Sequence, residues 1–262
     1  MSSLTPDLEA MLTRLKLTAI RDRLDSLLDE LGRQDLTWRE GLQYLCQAEI
    51  ARKDQRRVLM AHRLARFPFS RTLDDYDYSA QPSVDPKRIR ELSTGRWIGN
   101  GDVVLLLGPP GVGKTHLAVG LGRAAIVAGY SVLFTQAAEL MASLLKASES
   151  GRLEDRLRQL NKPKLLIIDE LGYLSLGREA SHLFFQLVSR RYERGSLLLT
   201  SNRSIREWGS VFGDTVVATA ILDRLLHHSH VLTIRGESYR LREKRRSGLL
   251  SGHAVAAIEK TP

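Results

Sequence analysis

The sequence has almost no cysteine. Cys46 is the only one in 262 residues, which excludes an internal disulfide and fits a reducing compartment. Long apolar runs are missing too: nothing approaches the roughly 18 unbroken apolar residues of a membrane-spanning helix. The opening MSSLTPDLEAML holds no basic stretch followed by an apolar one, so it does not read as an export signal. No internal repeat or low-complexity tract stands out. These absences set aside disulfide-built and membrane-embedded classes and predict a cytoplasmic protein with no membrane partner.

What is present is an ordinary globular composition, 43% hydrophobic and 26% charged, enough for one large domain or a small one joined to a medium one. The charge is lopsided, with a net +9 that favours polyanionic partners. It concentrates in two runs. From Arg52 to Arg71, RKDQRRVLMAHRLARFPFSR sets seven Arg or Lys against the single Asp54, and RGESYRLREKRR, Arg235 to Arg246, has six basic residues and two acidic ones. The first run predicts contacts to the DNA backbone through Arg52, Lys53, Arg56, Arg57, Arg63 and Arg66. The alternative is that these cations pair with the acids of DDYDY, Asp74 to Tyr78, or with a neighbouring subunit.

The first eighty or so residues read as helical. Thr5, Pro6 and Asp7 make a helix start, and Leu8, Leu12, Leu15, Ala19, Leu24, Leu27, Leu28 and Leu31 recur at helical spacing. TWRE, Thr37 to Glu40, is a capping box opening a second long helix through Leu42, Leu45 and Ile50. Pro68, Pro82 and Pro86 then break the periodicity, so the stretch reads as a linker and the boundary falls near residue 85. Beyond it, β-rich runs at Val103–Leu107, Ser131–Thr135, Leu165–Ile168, Leu197–Thr200 and Val231–Ile234 alternate with helical stretches. That order predicts a parallel α/β sheet. The division expected is 1–85 helical, 86–246 α/β, and 247–262 a loose tail.

The motifs sit at strand ends. GPPGVGKTH covers Gly108, Pro109, Pro110, Gly111, Val112, Gly113, Lys114, Thr115 and His116, directly after the apolar VVLLL. Glycines here let backbone N–H groups turn inward around phosphate oxygens, and the following helix adds its positive dipole end. Lys114 is expected on the β- and γ-phosphates of ATP and the Thr115 hydroxyl on Mg²⁺. KLLIIDE ends a buried strand in Asp169, a second Mg²⁺ ligand, and Glu170, a general base for water. LLLTSN brings Asn202 to a third strand end, in reach of the γ-phosphate and water. In ILDRLLHHSHVLTI, Arg224 either caps a helix end or pairs with Asp223, and Arg240 in SYRLRE is equally open. Near His227, His228 and His230 there is no cysteine and no standard zinc spacing, which argues against a metal there. Arg190, Arg191 and Arg194 read as cations favoured at a helix C-terminus.

Taken together, GPPGVGKTHLA, LLIIDELGYL, LLLTSN, ILDRLL and ESYR resemble the IstB branch of the AAA+ ATPases, kin of DnaC-type helicase loaders. The likeness covers roughly Pro86 to Arg246 and extends, less specifically, to LTRLKLTAIRDRLDSLL near the N-terminus. It implies a P-loop AAA+ domain with a five-stranded parallel sheet, preceded by a small all-helical domain. It further implies an ATPase that assembles with ATP as a homo-oligomer on duplex DNA and assists the transposase of its insertion sequence. By position, Asn202 becomes the first sensor, Arg224 a finger reaching a neighbouring subunit's ATP, and Arg240, or Arg242 beside it, the second sensor. The alternatives are a replicative helicase loader, a small-molecule kinase, and an adaptor that binds ATP without turnover.

Overall fold

The computed structural model describes residues 6–33, 36–173, 175–239 and 241–242, and it divides into two compact units, Met1–Met60 and Ala61–Pro262. The first is helical: α1 (Pro6–Arg14), α2 (Thr18–Arg33) and α3 (Trp38–Ala65), whose last residues belong to the second unit. The apolar periodicity is shared by α1 and α2 because the chain turns left-handed at Lys16 (φ +57°). Leu12, Ile20 and Leu24 form a small core with Leu17 and Leu45 against it, while Leu42 and Ile50 are exposed. The capping box is present: the Thr37 N–H and hydroxyl donate to Glu40 Oε2 at 2.9 and 2.6 Å, and the Glu40 N–H returns to Thr37 Oγ1 at 3.4 Å. Buried Glu49 accepts from the Ala19 and Ile20 N–H groups at 2.7 and 3.3 Å, a carboxylate where the start of α2 favours one.

In the second unit, α4 (Pro86–Ser93) and α5 (Arg96–Asn100) lead into β1 (Val103–Leu107). Then follow α6 (Lys114–Val127), β2 (Val132–Gln136), α7 (Ala137–Glu149), α8 (Leu153–Asn161) and β3 (Leu165–Leu171). Next come α9 (Arg178–Arg191), β4 (Ser196–Ser201), α10 (Trp208–Phe212), α11 (Thr215–His227) and β5 (Ser229–Thr233). All pairings are parallel, in the order β2-β3-β4-β1-β5. Each expected strand is found within about three residues of its predicted ends, the usual looseness of strand boundaries, with the largest extension at the C-terminal end of β3. Side-chain alternation then assigns two buried faces. Val103, Leu105, Leu107, Leu166, Ile168 and Leu199 pack with α7, α8, α9, α10 and α11, whereas the alternate residues, such as Ile167 against Gly122, meet α6.

Residues 61–85 are not a free linker. Phe67 and Leu73 lie against Gly122 and Gly120 of α6, and Thr72 O meets His116 Nε2 at 2.7 Å. The unit boundary therefore falls inside α3, ahead of residue 85, because this segment's aromatic and apolar side chains are buried on α6. Arg191 is a second surprise: it is fully buried and donates to the carbonyls of Leu160, Pro163, Lys164 and Ser196 at 2.8–3.1 Å. Burial lowers its pKa to about 10. It fastens the turn before β3 to the start of β4. The segment 247–262 lies outside the described residues, and no described helix is long and apolar enough to cross a membrane.

Candidate active site

The carboxyl ends of β1, β3 and β4 are neighbours in the sheet, so what leaves them converges. A cavity of about 370 Å³ lies there, bordered by Pro110 to His116 after β1, by Glu170 from β3, and by Thr200 and Asn202 from β4. The loop after β1 closes over its own lysine, whose Nζ donates to Gly108 O and Pro109 O at 2.7 and 2.8 Å. Gly113 enters α6 at φ +92°, and a Cβ on it would stand 2.6 Å from the Tyr76 ring. No other residue suits both the backbone and the space.

Asp169 is the electrostatic centre. It is 2% exposed, and the Thr115 hydroxyl donates to its two oxygens at 3.1 and 3.0 Å. Burial raises its pKa above the ordinary 3.8, while hydrogen bonds from Thr200 and Thr115 and the Lys114 charge partly offset this. Thr200 was not singled out by the motifs, yet it organises the pair. Its hydroxyl donates to Asp169 Oδ1 at 2.5 Å and accepts from the Glu170 N–H at 2.9 Å. At that point the β3–β4 register shifts and Glu170 takes a left-handed φ of +63°, a conformation that costs a non-glycine residue about 1–2 kcal/mol. The result is one buried acid and one exposed acid from adjacent positions. Asn202 borders the same cavity, with its Oδ1 buried and lacking a hydrogen-bond partner among the described residues.

The segment before α4 supplies the other wall. The Tyr76 hydroxyl donates to Val112 O at 3.1 Å, and its ring packs edge-on to His116 at 5.3 Å between centroids. Burial raises the Tyr76 pKa. Gln81, Tyr173 and Tyr239 also line the cavity. The fit to a nucleoside triphosphate with Mg²⁺ rests on this chemistry: a glycine-opened cradle, one ammonium, a hydroxyl paired with a buried carboxylate, and an orphan polar oxygen.

Arg224 stands apart. In the last turn of α11, its Nη1 donates to Ala220 O at 3.0 Å, and the guanidinium lies 4.6 Å from the Phe185 ring centroid. β5 follows and begins opposite Val103, the first residue of β1, whereas the phosphate loop leaves after Leu107. The two ends of β1 are about 13 Å apart, and Arg224 borders a hollow with Val103 and Leu197 at the amino ends of β1 and β4, opposite the end that carries the phosphate loop. Arg240 lies outside the described residues. Arg242 is 4.0 Å from Asp77 and sits over the Tyr239 ring.

The basic run of α3 is largely occupied within the first unit. Arg52 reaches Asp22 at 2.8 Å and Thr18 O at 3.0 Å, and Arg56 reaches Thr18 Oγ1 at 3.2 Å. Lys53 lies 3.7 Å from Glu49, and Arg57 lies 3.5 Å from Asp54. Within the second unit, Asp75 accepts from Thr72, and Asp77 from Ser79 and Ala80. Arg63 and Arg66 are exposed in the second unit. Of the histidines, His227 and His228 come together with Glu193, all exposed, while His230 faces Asp102 at 3.5 Å.

The comparisons with known proteins agree with this architecture. A protein of insertion sequence IS21 from Pseudomonas aeruginosa, whose name gives it as ATP-binding, is 47% identical over 245 residues, 94% of this chain and 92% of its own. A similarly named protein of insertion sequence IS5376 from Geobacillus stearothermophilus is 46% identical over 232 residues, 88% of this chain and 92% of its own. Among solved structures, the crystal structure of the DnaC helicase loader matches with a TM-score of 0.51 at 22% identity, over 63% of this chain and 96% of that one, a likeness of fold. The family model described as IstB-like ATP binding protein matches residues 10–247, and the chain belongs to that family.

Proposed function

We propose that the protein binds ATP with Mg²⁺, hydrolyses it to ADP and phosphate, and assembles as a homo-oligomer on duplex DNA to assist the transposase of its insertion sequence. The observation that carries this is the convergence of Lys114, Thr115, Asp169, Glu170 and Asn202 around one cavity. The Thr115 hydroxyl and the Asp169 carboxylate would hold Mg²⁺, which would supply charge neutralisation to the phosphates. Lys114 exchanges its loop carbonyls for phosphate oxygens, and the loop N–H groups bind the rest. Glu170, exposed and aimed by its left-handed backbone, takes the proton of the attacking water, which Asn202 orients. Arg224, remote from its own cavity, acts on a neighbour's ATP, so hydrolysis depends on assembly.

Charge on the second unit supports the DNA partner. Between α7 and α8 runs a groove of about 520 Å³ lined by Lys146, Arg152, Arg156, Arg158 and Lys162 against the single Asp155. Arg156 is bonded there to Ser143 and Gln159, and burial and the Arg66 charge lower its pKa. A desolvated guanidinium beside like charge suits a phosphate. Names of the relatives tied to insertion sequences favour transposition over helicase loading. The test follows particle mass and phosphate release together, with ATP, with and without duplex DNA. Mass and turnover that both rise with DNA are expected. A particle that stays monomeric, with DNA-insensitive turnover, overturns the proposal.

A further inference from the structure

The cavity has two chemically different ends. Strand order puts Glu170 and Asn202, from β3 and β4, on one side of the phosphate loop. On the other side, past β5, lies Gln81, whose Nε2 donates to Glu237 O at 3.0 Å, while nearby Ser83 bonds Arg235 O at 2.9 Å. Phosphates and metal belong with Lys114, Thr115 and the Asp169–Glu170 pair, so the base of a nucleotide belongs to the end walled by Tyr76, Gln81 and Tyr239.

Gln81 is 2% exposed. Its amide is oriented without ambiguity, since the nitrogen faces the Glu237 carbonyl and the oxygen must point elsewhere. That oxygen, Oε1, is buried and has no hydrogen-bond partner among the described residues. Gly236 lies close against it: its φ is +138°, and a Cβ there would stand 2.8 Å from Oε1, so glycine is what fits beside this oxygen. A buried acceptor without a donor is uncommon and calls for an explanation. Adenine offers an exocyclic amine on C6, whereas guanine carries an acceptor oxygen at the same place.

We infer that Gln81 reads the base: its Oε1 accepts a hydrogen bond from the C6 amine, selecting adenosine over guanosine triphosphate. This rests on the nucleotide reading of the cavity. The test is calorimetric binding of ATP, GTP and purine riboside triphosphate, which lacks only the amine, to the full chain. The wild type should bind ATP about tenfold tighter than purine riboside triphosphate, the worth of one hydrogen bond, and about a hundredfold tighter than GTP, whose oxygen opposes Oε1. Gln81→Met should bind ATP and purine riboside triphosphate alike. If that variant does not fold, Gln81→Asn, which withdraws the carbonyl by one methylene, should show the same levelling. Equal wild-type affinity for all three nucleotides overturns the inference and leaves the nucleotide reading standing. So does a preference for the amine that survives either substitution in folded protein. Failure of every triphosphate to bind defeats the nucleotide reading itself.

Discussion

Thr200→Val removes the two hydrogen bonds that hold the acidic pair while conserving the side chain's shape. The hydroxyl is fully buried and serves Asp169 Oδ1 and the Glu170 N–H at once. Losing a bond to a charged carboxylate costs about 1.5–3 kcal/mol, and an unpaired amide adds about 1 kcal/mol. A deficit of about 3 kcal/mol follows, a large share of the about 5–15 kcal/mol by which domains are stable. The pH dependence is specific. Burial raises the Asp169 pKa above 3.8, so its ionisation opposes folding at neutral pH, and that opposition is relieved as pH falls through the raised native pKa. The variant removes a bond that favours the charged form, so its deficit should shrink on acidification, when the carboxyl is protonated in both proteins. Urea unfolding at neutral and mildly acidic pH measures this. In an Asp169→Asn background the same substitution should cost only about 1 kcal/mol. A variant within about 0.5 kcal/mol of wild type, or a deficit unchanged by pH, refutes the reasoning.

Lys114→Ala should abolish binding of a fluorescent ATP analogue and ATP-dependent assembly while far-ultraviolet circular dichroism stays unchanged, because the carbonyls of Gly108 and Pro109 that accept from its ammonium belong to its own loop; unaltered nucleotide affinity contradicts the phosphate-loop assignment. Arg191→Met should destabilise the second unit by about 3 kcal/mol or more, read by thermal unfolding, since the carbonyls of Leu160, Pro163, Lys164 and Ser196 lose a shared donor. A shift within the noise of surface substitutions, about 0.5 kcal/mol, counts against its structural role.

What was legible in the sequence was what the local chain determines. GPPGVGKT makes its own cradle between a strand and a helix, and LLIIDE brings two acids to a strand end, so contiguous residues announced both. Thr200 was hidden because it is one hydroxyl at the end of an apolar strand, and only the β3–β4 register with its shift shows that it meets both acids. The segment around Tyr76 and Gln81 looked like a linker because prolines and acids dominate it. Its packing on α6 and the phosphate loop is tertiary and leaves no periodic trace. In the charge run of α3, Glu49 and Asp54 pair with Lys53 and Arg57 one turn away on the same helix, a spacing visible in the sequence, whereas Asp22, the partner of Arg52, approaches only through the pairing of α2 with α3.

The central claim, that hydrolysis is completed by a neighbouring copy, is tested most directly by mixing two inactive variants. Glu170→Gln lacks the base and Arg224→Ala lacks the finger, so each alone should release little phosphate. In mixed assemblies, some interfaces pair an intact Glu170 with an intact Arg224 from the other chain, and turnover should recover as the second variant is titrated in. Mixtures that demonstrably co-assemble with ATP and duplex DNA yet release no more phosphate than either variant alone would contradict it.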